Sequence, residues 1–99
     1  MKILLICYGG LSTGIMKTKI EEAAAKDGVT DLDIKATAYA QAIEDLGDYD
    51  IYLLGPQIRY AQKDFEAKAA GKPVLVISPA DFGMMNGTNV WKQISAAMK

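Results

Sequence analysis

Histidine is absent from this chain, and cysteine occurs once, as Cys7. These two shortages remove several enzyme chemistries together. There is no Cys-His pair, no Ser-His-Asp triad and no histidine-based metal site. A single cysteine among scattered carboxylates is a poor zinc ligand set, so no metal and no cofactor is expected. One cysteine closes no internal disulfide, which fits a reducing cytoplasm. Any reactivity of that thiol has to come mainly from its own loop. An excess of basic residues is missing as well: the net charge of −1 offers no field for nucleic acid. No apolar run approaches the ~20 residues that span a bilayer. Met1-Lys2 leads directly into a strand-like run without the pattern of a signal peptide. A cytoplasmic protein without direct membrane insertion is expected.

What is present suits an ordinary folded domain: 51% of the 99 residues are hydrophobic and 23% charged. That length predicts one domain spanning residues 1–99, without linker or internal repeat. Four strand candidates alternate with helical stretches, so the fold class is α/β with a parallel sheet. The first strand is expected at about 2–7, followed by a helix at about 12–27 that Ser12 or Thr13 caps and Gly28 ends. Met16, Ile20, Ala23 and Ala24 form its apolar face, while Lys17–Glu21 and Glu22–Lys26 lie outside as i,i+4 pairs.

Residues 31–38 alternate strictly between polar and apolar, which predicts an edge strand. A short helix at about 39–46 closes at Gly47. Residues 51–54 read as a fully buried strand. An amphipathic helix at 59–70 uses Tyr60, Phe65 and Ala69 as core contacts, with Gly71 at C′. Pro73 opens the last strand, 74–77. Residues 78–83 read as a loop or short helical turn. A final helix at about 87–98 turns Val90, Trp91, Ile94 and Met98 inward.

Right-handed crossovers with the second and third strands on opposite sides of the first predict sheet order 2-1-3-4 with helices on both faces, a three-layer αβα arrangement. Ligands in open parallel sheets bind where the chain direction reverses, beyond the carboxyl ends of the strands. That rule puts the Cys7 loop beside Gly55-Pro56-Gln57.

The stretch Cys7-Tyr8-Gly9-Gly10-Leu11-Ser12-Thr13-Gly14 stands at that point. A helix N-terminus and a nest of backbone amides attract anions and favour a thiolate over a thiol. Tyr8, Gly9, Gly10, Leu11, Ser12, Thr13 and Gly14 are therefore the candidate phosphate cradle, with Cys7 as nucleophile. Gly9-x-x-x-x-Gly14 has Walker A spacing, but Ile15-Met16 stands where Lys-Ser/Thr is required. The glycines do not fit Gly-x-Gly-x-x-Gly either.

A cysteine-dependent phosphatase or arsenate reductase is the next reading. The low-molecular-weight tyrosine phosphatases, whose sheet is similar, carry Cys-x5-Arg at the end of the first strand. Here Thr13 occupies the arginine position, so no guanidinium clamps the phosphoryl oxygens. Asp81, after the fourth strand, keeps hydrolysis open by standing where a general acid sits. A loop without the arginine suits carrying phosphate better than hydrolysing it.

Cys7-x-x-Gly10-Leu11-Ser12-Thr13-Gly14 resembles the phosphocysteine loop of the enzyme IIB proteins of the lactose/cellobiose (chitobiose) group, in the bacterial sugar phosphotransferase system. Leu53-Leu54-Gly55-Pro56-Gln57-Ile58-x-Tyr60 is similar to a second segment of that family, and Lys72-Pro73-Val74-x-Val76-Ile77 to a third. Tyr8 is bulky for the loop, and Ser78-Pro79 replaces the more usual Asp-Ser. The resemblance extends over the whole chain, and the length suits a free-standing IIB domain. It implies the fold of the low-molecular-weight tyrosine phosphatases. It also implies a phosphoryl group received on Cys7 from a phosphohistidine of enzyme IIA. The acceptor is then a sugar, a β-linked disaccharide such as cellobiose, chitobiose or lactose, bound by the membrane enzyme IIC. The absent histidine is then the partner's. No metal is needed, and a monomer is expected.

Plainer readings exist for each residue. A lone cysteine is ordinarily a buried small hydrophobe, and only its place at a strand end before Gly-Gly and Ser-Thr argues otherwise. Ser12 and Thr13 serve as caps, as phosphate contacts or as both. Gln57, Arg59 and Tyr60 are weaker candidates for partner contact; Tyr60 reads first as core, and Arg59 also fits a solvated charge. Lys17 reads as solvated. Met84-Met85 fits either core or an adaptable contact surface. A regulatory or interaction domain that has borrowed the fold is the third, non-enzymatic reading.

Overall fold

The computed structural model describes residues 1–8 and 12–98, and of residues 12 and 13 the backbone alone. An apolar run directly after Lys2 forms β1 (Lys2–Cys7), buried from Ile3 to Cys7. Strands buried on both faces read as continuous apolar sequence, which is the signature of a central parallel strand. β1 pairs in parallel with β2 (Asp33–Ala38) on one side and β3 (Ile51–Leu54) on the other. β3 in turn pairs with β4 (Val74–Val76), giving the order β2-β1-β3-β4. The polar/apolar alternation of β2 matches its edge position, where Ile34 alone is fully buried.

Alternate residues of the central strands feed two separate cores. Ile3, Leu5, Cys7, Ile51 and Leu53 face α1 (Ser12–Lys26) and α5 (Gly87–Ala97), whose Met16, Ile20, Ala24, Val90, Trp91 and Ile94 pack against them. Leu4, Ile6, Tyr52 and Leu54 face the other way. They meet Ala42 of α2 (Tyr39–Glu44), Ile58 and Ala61 of a 3-10 turn (Pro56–Ala61), and Phe65 of α3 (Gln62–Lys68). The period of two along the strands thus sorts the sequence into the three expected layers.

The ends of elements follow local chemistry. α1 stops in a Schellman motif: Gly28 takes φ 83, its N–H donates to Ala25 O at 3.0 Å and the Val29 N–H to Ala24 O at 2.9 Å. α4 (Pro79–Gly83) is capped by Ser78, whose Oγ accepts from the Asp81 N–H, and α5 by Asn86, whose side chain accepts from the Asn89 N–H. β4 is the other edge, and two glutamines satisfy its outward carbonyls. Gln62 Nε2 donates to Val74 O at 3.0 Å, and Gln93 Nε2 to Val76 O at 3.3 Å.

Several expectations are corrected. The helix expected at 59–70 is two pieces: Pro56 starts a helical turn early, and Ile58 at φ −121, ψ 26 breaks it before α3. The left-handed residue after α3 is Ala70 (φ 54), with Gly71 (φ 88) one position later than the C′ expected for it. Met98 follows the last turn of α5 and is exposed instead of facing inward. Met85 is half-buried against the core while Met84 is 79% exposed, so the core reading holds for Met85 alone.

Gly87 is where α5 crosses α1. A Cβ there would collide with the backbone carbonyl and the Cβ of Lys19. Gly87→Ala is expected to destabilise the fold by about 3 kcal/mol, because backbone cannot yield as a side chain can. Ala70→Gly relieves a left-handed alanine and is expected to stabilise by about 0.5–1 kcal/mol after the entropy of the added glycine is offset. Urea denaturation of the two variants checks both signs.

Candidate functional site

The register of β1 against β3 builds the site. Ile6 lies opposite Leu54, so the next residues, Cys7 and Gly55, leave the sheet level with each other. The Gly55 N–H donates to Ile6 O at 2.8 Å and carries the ladder one step past the last strand pair. Cys7 is only 5% exposed and pairs in register with Ala38, the last residue of β2. From β1 the sheet continues to β2 on one side and β3 on the other. Cys7 therefore stands at the carboxyl-end switch point expected from the sequence.

Gly55 brings the second segment to the sulfur. Its backbone is extended (φ −64, ψ 154) and buried. The place a Cβ would take is 3.4 Å from Cys7 Sγ, 2.8 Å from Gln57 Oε1 and 3.7 Å from Ile6 O. Glycine is thus used here for close approach rather than for an unusual φ. The 3-10 turn that follows is drawn down by Ile58, which is fully buried and donates its N–H to Gly55 O at 3.1 Å. Gln57, between the two, folds its carboxamide back over Gly55.

The sequence candidates separate into those that meet at this point and those that do not. Cys7 and Gln57 come together around Gly55, and Tyr8 follows the cysteine with its ring 68% exposed. Gly14 lies in the first turn of α1 with open space around its Cα. Gly9, Gly10 and Leu11 lie outside the described residues, as do the side chains of Ser12 and Thr13. Arg59 is exposed on the 3-10 turn. Lys17 is half-buried on α1 instead of fully solvated.

Tyr60 is not core: it is 69% exposed. The early turn begun by Pro56 gives the inward positions to Ile58 and Ala61 and leaves Tyr60 outside. Its ring lies 6.4 Å from that of Tyr39, which itself stands edge-on to the buried Phe65 at 5.8 Å. Asp81 is held locally. Its carboxylate accepts from Asn89 Nδ2 at 3.1 Å and its carbonyl from the Asn86 N–H at 2.8 Å, tying α4 to the start of α5.

Sequence reasoning placed Gly55 beside the loop without making it a site residue. The available signal was Gly-Pro directly after a buried strand. A concavity of about 390 Å³ lies between α1 and the α4–α5 connection, lined by Lys19, Glu22, Lys26, Met85, Asn86 and Gly87 among others. Cys7, Gly55 and Gln57 are not among its lining residues. Among the described residues, no group of three or more His, Cys, Asp or Glu side chains is arranged to hold a metal.

Comparison with known proteins gives a consistent result. A family model described as PTS system, lactose/cellobiose specific IIB subunit, matches residues 2–93. The galactose-specific EIIB component of Lactococcus lactis subsp. cremoris is 37% identical over 95 residues, covering 89% of this chain and 87% of that protein. The oligo-beta-mannoside-specific EIIB component of Bacillus subtilis is 33% identical over 99 residues, covering 98% and 95%. Among solved structures, the cellobiose-specific IIB component of Borrelia burgdorferi is similar with a TM-score of 0.73 and 33% identity, covering 98% of this chain and 90% of that one. The lactose-specific IIB domain of Streptococcus pneumoniae shares the fold at a TM-score of 0.84 and 18% identity, over 100% and 98% of the chains.

The burial difference between the two aromatic residues of this segment is directly measurable. Phe65→Ala is expected to cost about 3–5 kcal/mol by emptying a core position. Tyr60→Ala, at an exposed position, is expected to change stability by less than about 1 kcal/mol. Thermal denaturation of the two variants separates them.

Proposed function

The chain belongs to the lactose/cellobiose-specific IIB subunit family of the sugar phosphotransferase system, and we propose that it is a phosphocarrier whose acceptor atom is Cys7 Sγ. The observation that carries this reading is the position of Cys7: nine-tenths buried, at the carboxyl end of the central strand, where two sheet neighbours diverge. In the reaction the thiolate sulfur attacks phosphorus on a phosphohistidine of enzyme IIA. The S–P bond forms as the N–P bond breaks, and its electron pair returns to the imidazole nitrogen. In the second transfer a sugar hydroxyl oxygen attacks the same phosphorus, the S–P bond breaks and the thiolate leaves. The hydroxyl proton passes to a base or to solvent on the acceptor side, in the membrane enzyme IIC.

Both steps depend on positioning and on stabilising charge, which a small loop supplies with backbone amides. Tyr8, Gly9, Gly10, Leu11, Ser12, Thr13 and Gly14 are proposed to cradle the phosphoryl oxygens, with no metal or cofactor. The absence of histidine from the chain fits a donor imidazole located on the partner. No described helix is long and apolar enough to cross a membrane, which agrees with an acceptor site on a separate membrane component. The proposed cargo is a β-linked disaccharide such as cellobiose, chitobiose or lactose; the relatives named for cellobiose and oligo-β-mannosides support it, and a third is named for galactose. The chain is proposed to work as a monomeric single IIB domain on the cytoplasmic side. Gln57, Arg59 and Tyr60, on one turn beside Cys7, are candidates for partner contact.

Incubation with phosphorylated enzyme IIA is expected to place one iodine-sensitive phosphate on Cys7, with no label in Cys7→Ser. Failure of the wild type to label, or equal labelling of Cys7→Ser, removes the carrier reading. Steady, Cys7-dependent turnover of an aryl phosphate would replace it with a phosphatase.

A further inference from the structure

We propose that Gln57 is a phosphoryl contact: its carboxamide donates an N–H to an oxygen of the group carried on Cys7, in a space that Gly55 leaves open. This rests on the carrier reading and adds a side chain to a cradle otherwise made from the Cys7 loop. The argument is one of space. A Cβ at Gly55 would meet Gln57 Oε1 at 2.8 Å and Cys7 Sγ at 3.4 Å, so the two side chains converge on the same missing methyl. The carboxamide thus fills the volume that any other residue at position 55 would occupy. The turn places it there: Pro56 fixes the chain direction, and Ile58 anchors the far side in the core. Beside the unloaded sulfur the amide oxygen is the atom at that place. A half-turn of the carboxamide exchanges Oε1 for Nε2 without change of shape, and loading favours the turned form because it donates to an anion without adding charge. Hydrogen bonds to charged groups are stronger than those between neutral partners. The phosphoryl oxygens of S-phosphocysteine offer the charged acceptor that the free thiol lacks, so the contact strengthens on loading.

Gly55→Ala supplies an unusually clean test. The Gly55 backbone (φ −64, ψ 154) is one that alanine adopts without strain. The one sub-3 Å conflict of the added methyl is therefore with the Gln57 carboxamide. Stability is expected to hold or rise slightly, as for other glycine-to-alanine changes at compatible positions.

The experiment compares wild type, Gln57→Ala, Gln57→Glu and Gly55→Ala, each loaded by phosphorylated enzyme IIA. The readouts are the Gln57 side-chain N–H₂ resonances before and after loading, the phosphorus resonance of the phosphocysteine, and its hydrolysis rate. Loading is expected to shift the Gln57 N–H₂ signals in the wild type. Gln57→Ala and Gly55→Ala should both move the phosphorus resonance and destabilise the phosphocysteine by about tenfold, the equivalent of one charged hydrogen bond. Gln57→Glu should destabilise it at least as much, by repulsion. If Gln57→Ala slows transfer from enzyme IIA while the phosphorus resonance and hydrolysis rate stay unchanged, Gln57 is a partner contact and the proposal is overturned. Unmoved Gln57 amide signals in a fully loaded wild type overturn it as well, with the carrier reading left standing. Only a wild type that never loads removes both.

Discussion

The parallel hydrogen-bond ladder between β1 and β3 is the constraint on which the rest depends. It aligns Ile3 to Ile6 with Ile51 to Leu54 and is extended by the Gly55 N–H to Ile6 O. Because both strands are buried on both faces, a slip in register would strand backbone donors away from water, at a cost comparable to a lost hydrogen bond for each. A slip by one residue would also exchange the two cores. With the register locked, the residue after Leu54 has to emerge beside Cys7. The sulfur's second neighbour is thus set by sheet pairing, some fifty residues away in sequence.

A second set of contacts holds α1, the helix whose N-terminus follows the cysteine loop. α5 is pressed onto it at Gly87, where the absent side chain lets the helix reach the Lys19 backbone. Farther along, Trp91 Nε1 donates to Asp27 Oδ2 at 3.2 Å, just past the last turn of α1. The start of α5 is itself tied to α4 through Asn89 and Asp81. Fixing the body of α1 fixes the direction in which its first turn presents backbone amides, the elements an anion-binding loop uses. The packing of α5, remote from Cys7, therefore bears on the chemistry proposed there.

The exposed residues next to the buried sulfur suit the relay proposed for it. Phosphoryl carriers have to offer one atom to two successive partners. Tyr8, directly after Cys7, and Gln57, Arg59 and Tyr60, on the turn after Gly55, are all exposed and accessible to such partners. In the proposed relay the partner supplies the donor imidazole, which is consistent with a chain that has no histidine of its own.

Local pattern was enough for the strands and most helices, while the sheet order needed crossover handedness and the placing of β2 and β3 on opposite sides of β1. Alternation marked β2 as an edge, continuous apolar runs marked β1 and β3 as central, and Gly28 marked the end of α1. Tyr60 and Met98 were misplaced because helical periodicity assumes an unbroken helix ending where the apolar pattern ends. The turn started by Pro56 changes the phase, and α5 stops a residue sooner. The sequence by itself determined the fold class, the candidate nucleophile and the family, since these rest on periodicity and on motifs contiguous in the chain. Tertiary structure decided what stands against the sulfur: Gly55, with the Gln57 carboxamide folded over it, comes beside Cys7 only through the pairing of β1 with β3. No local pattern encodes a distance between segments that the sheet alone brings together.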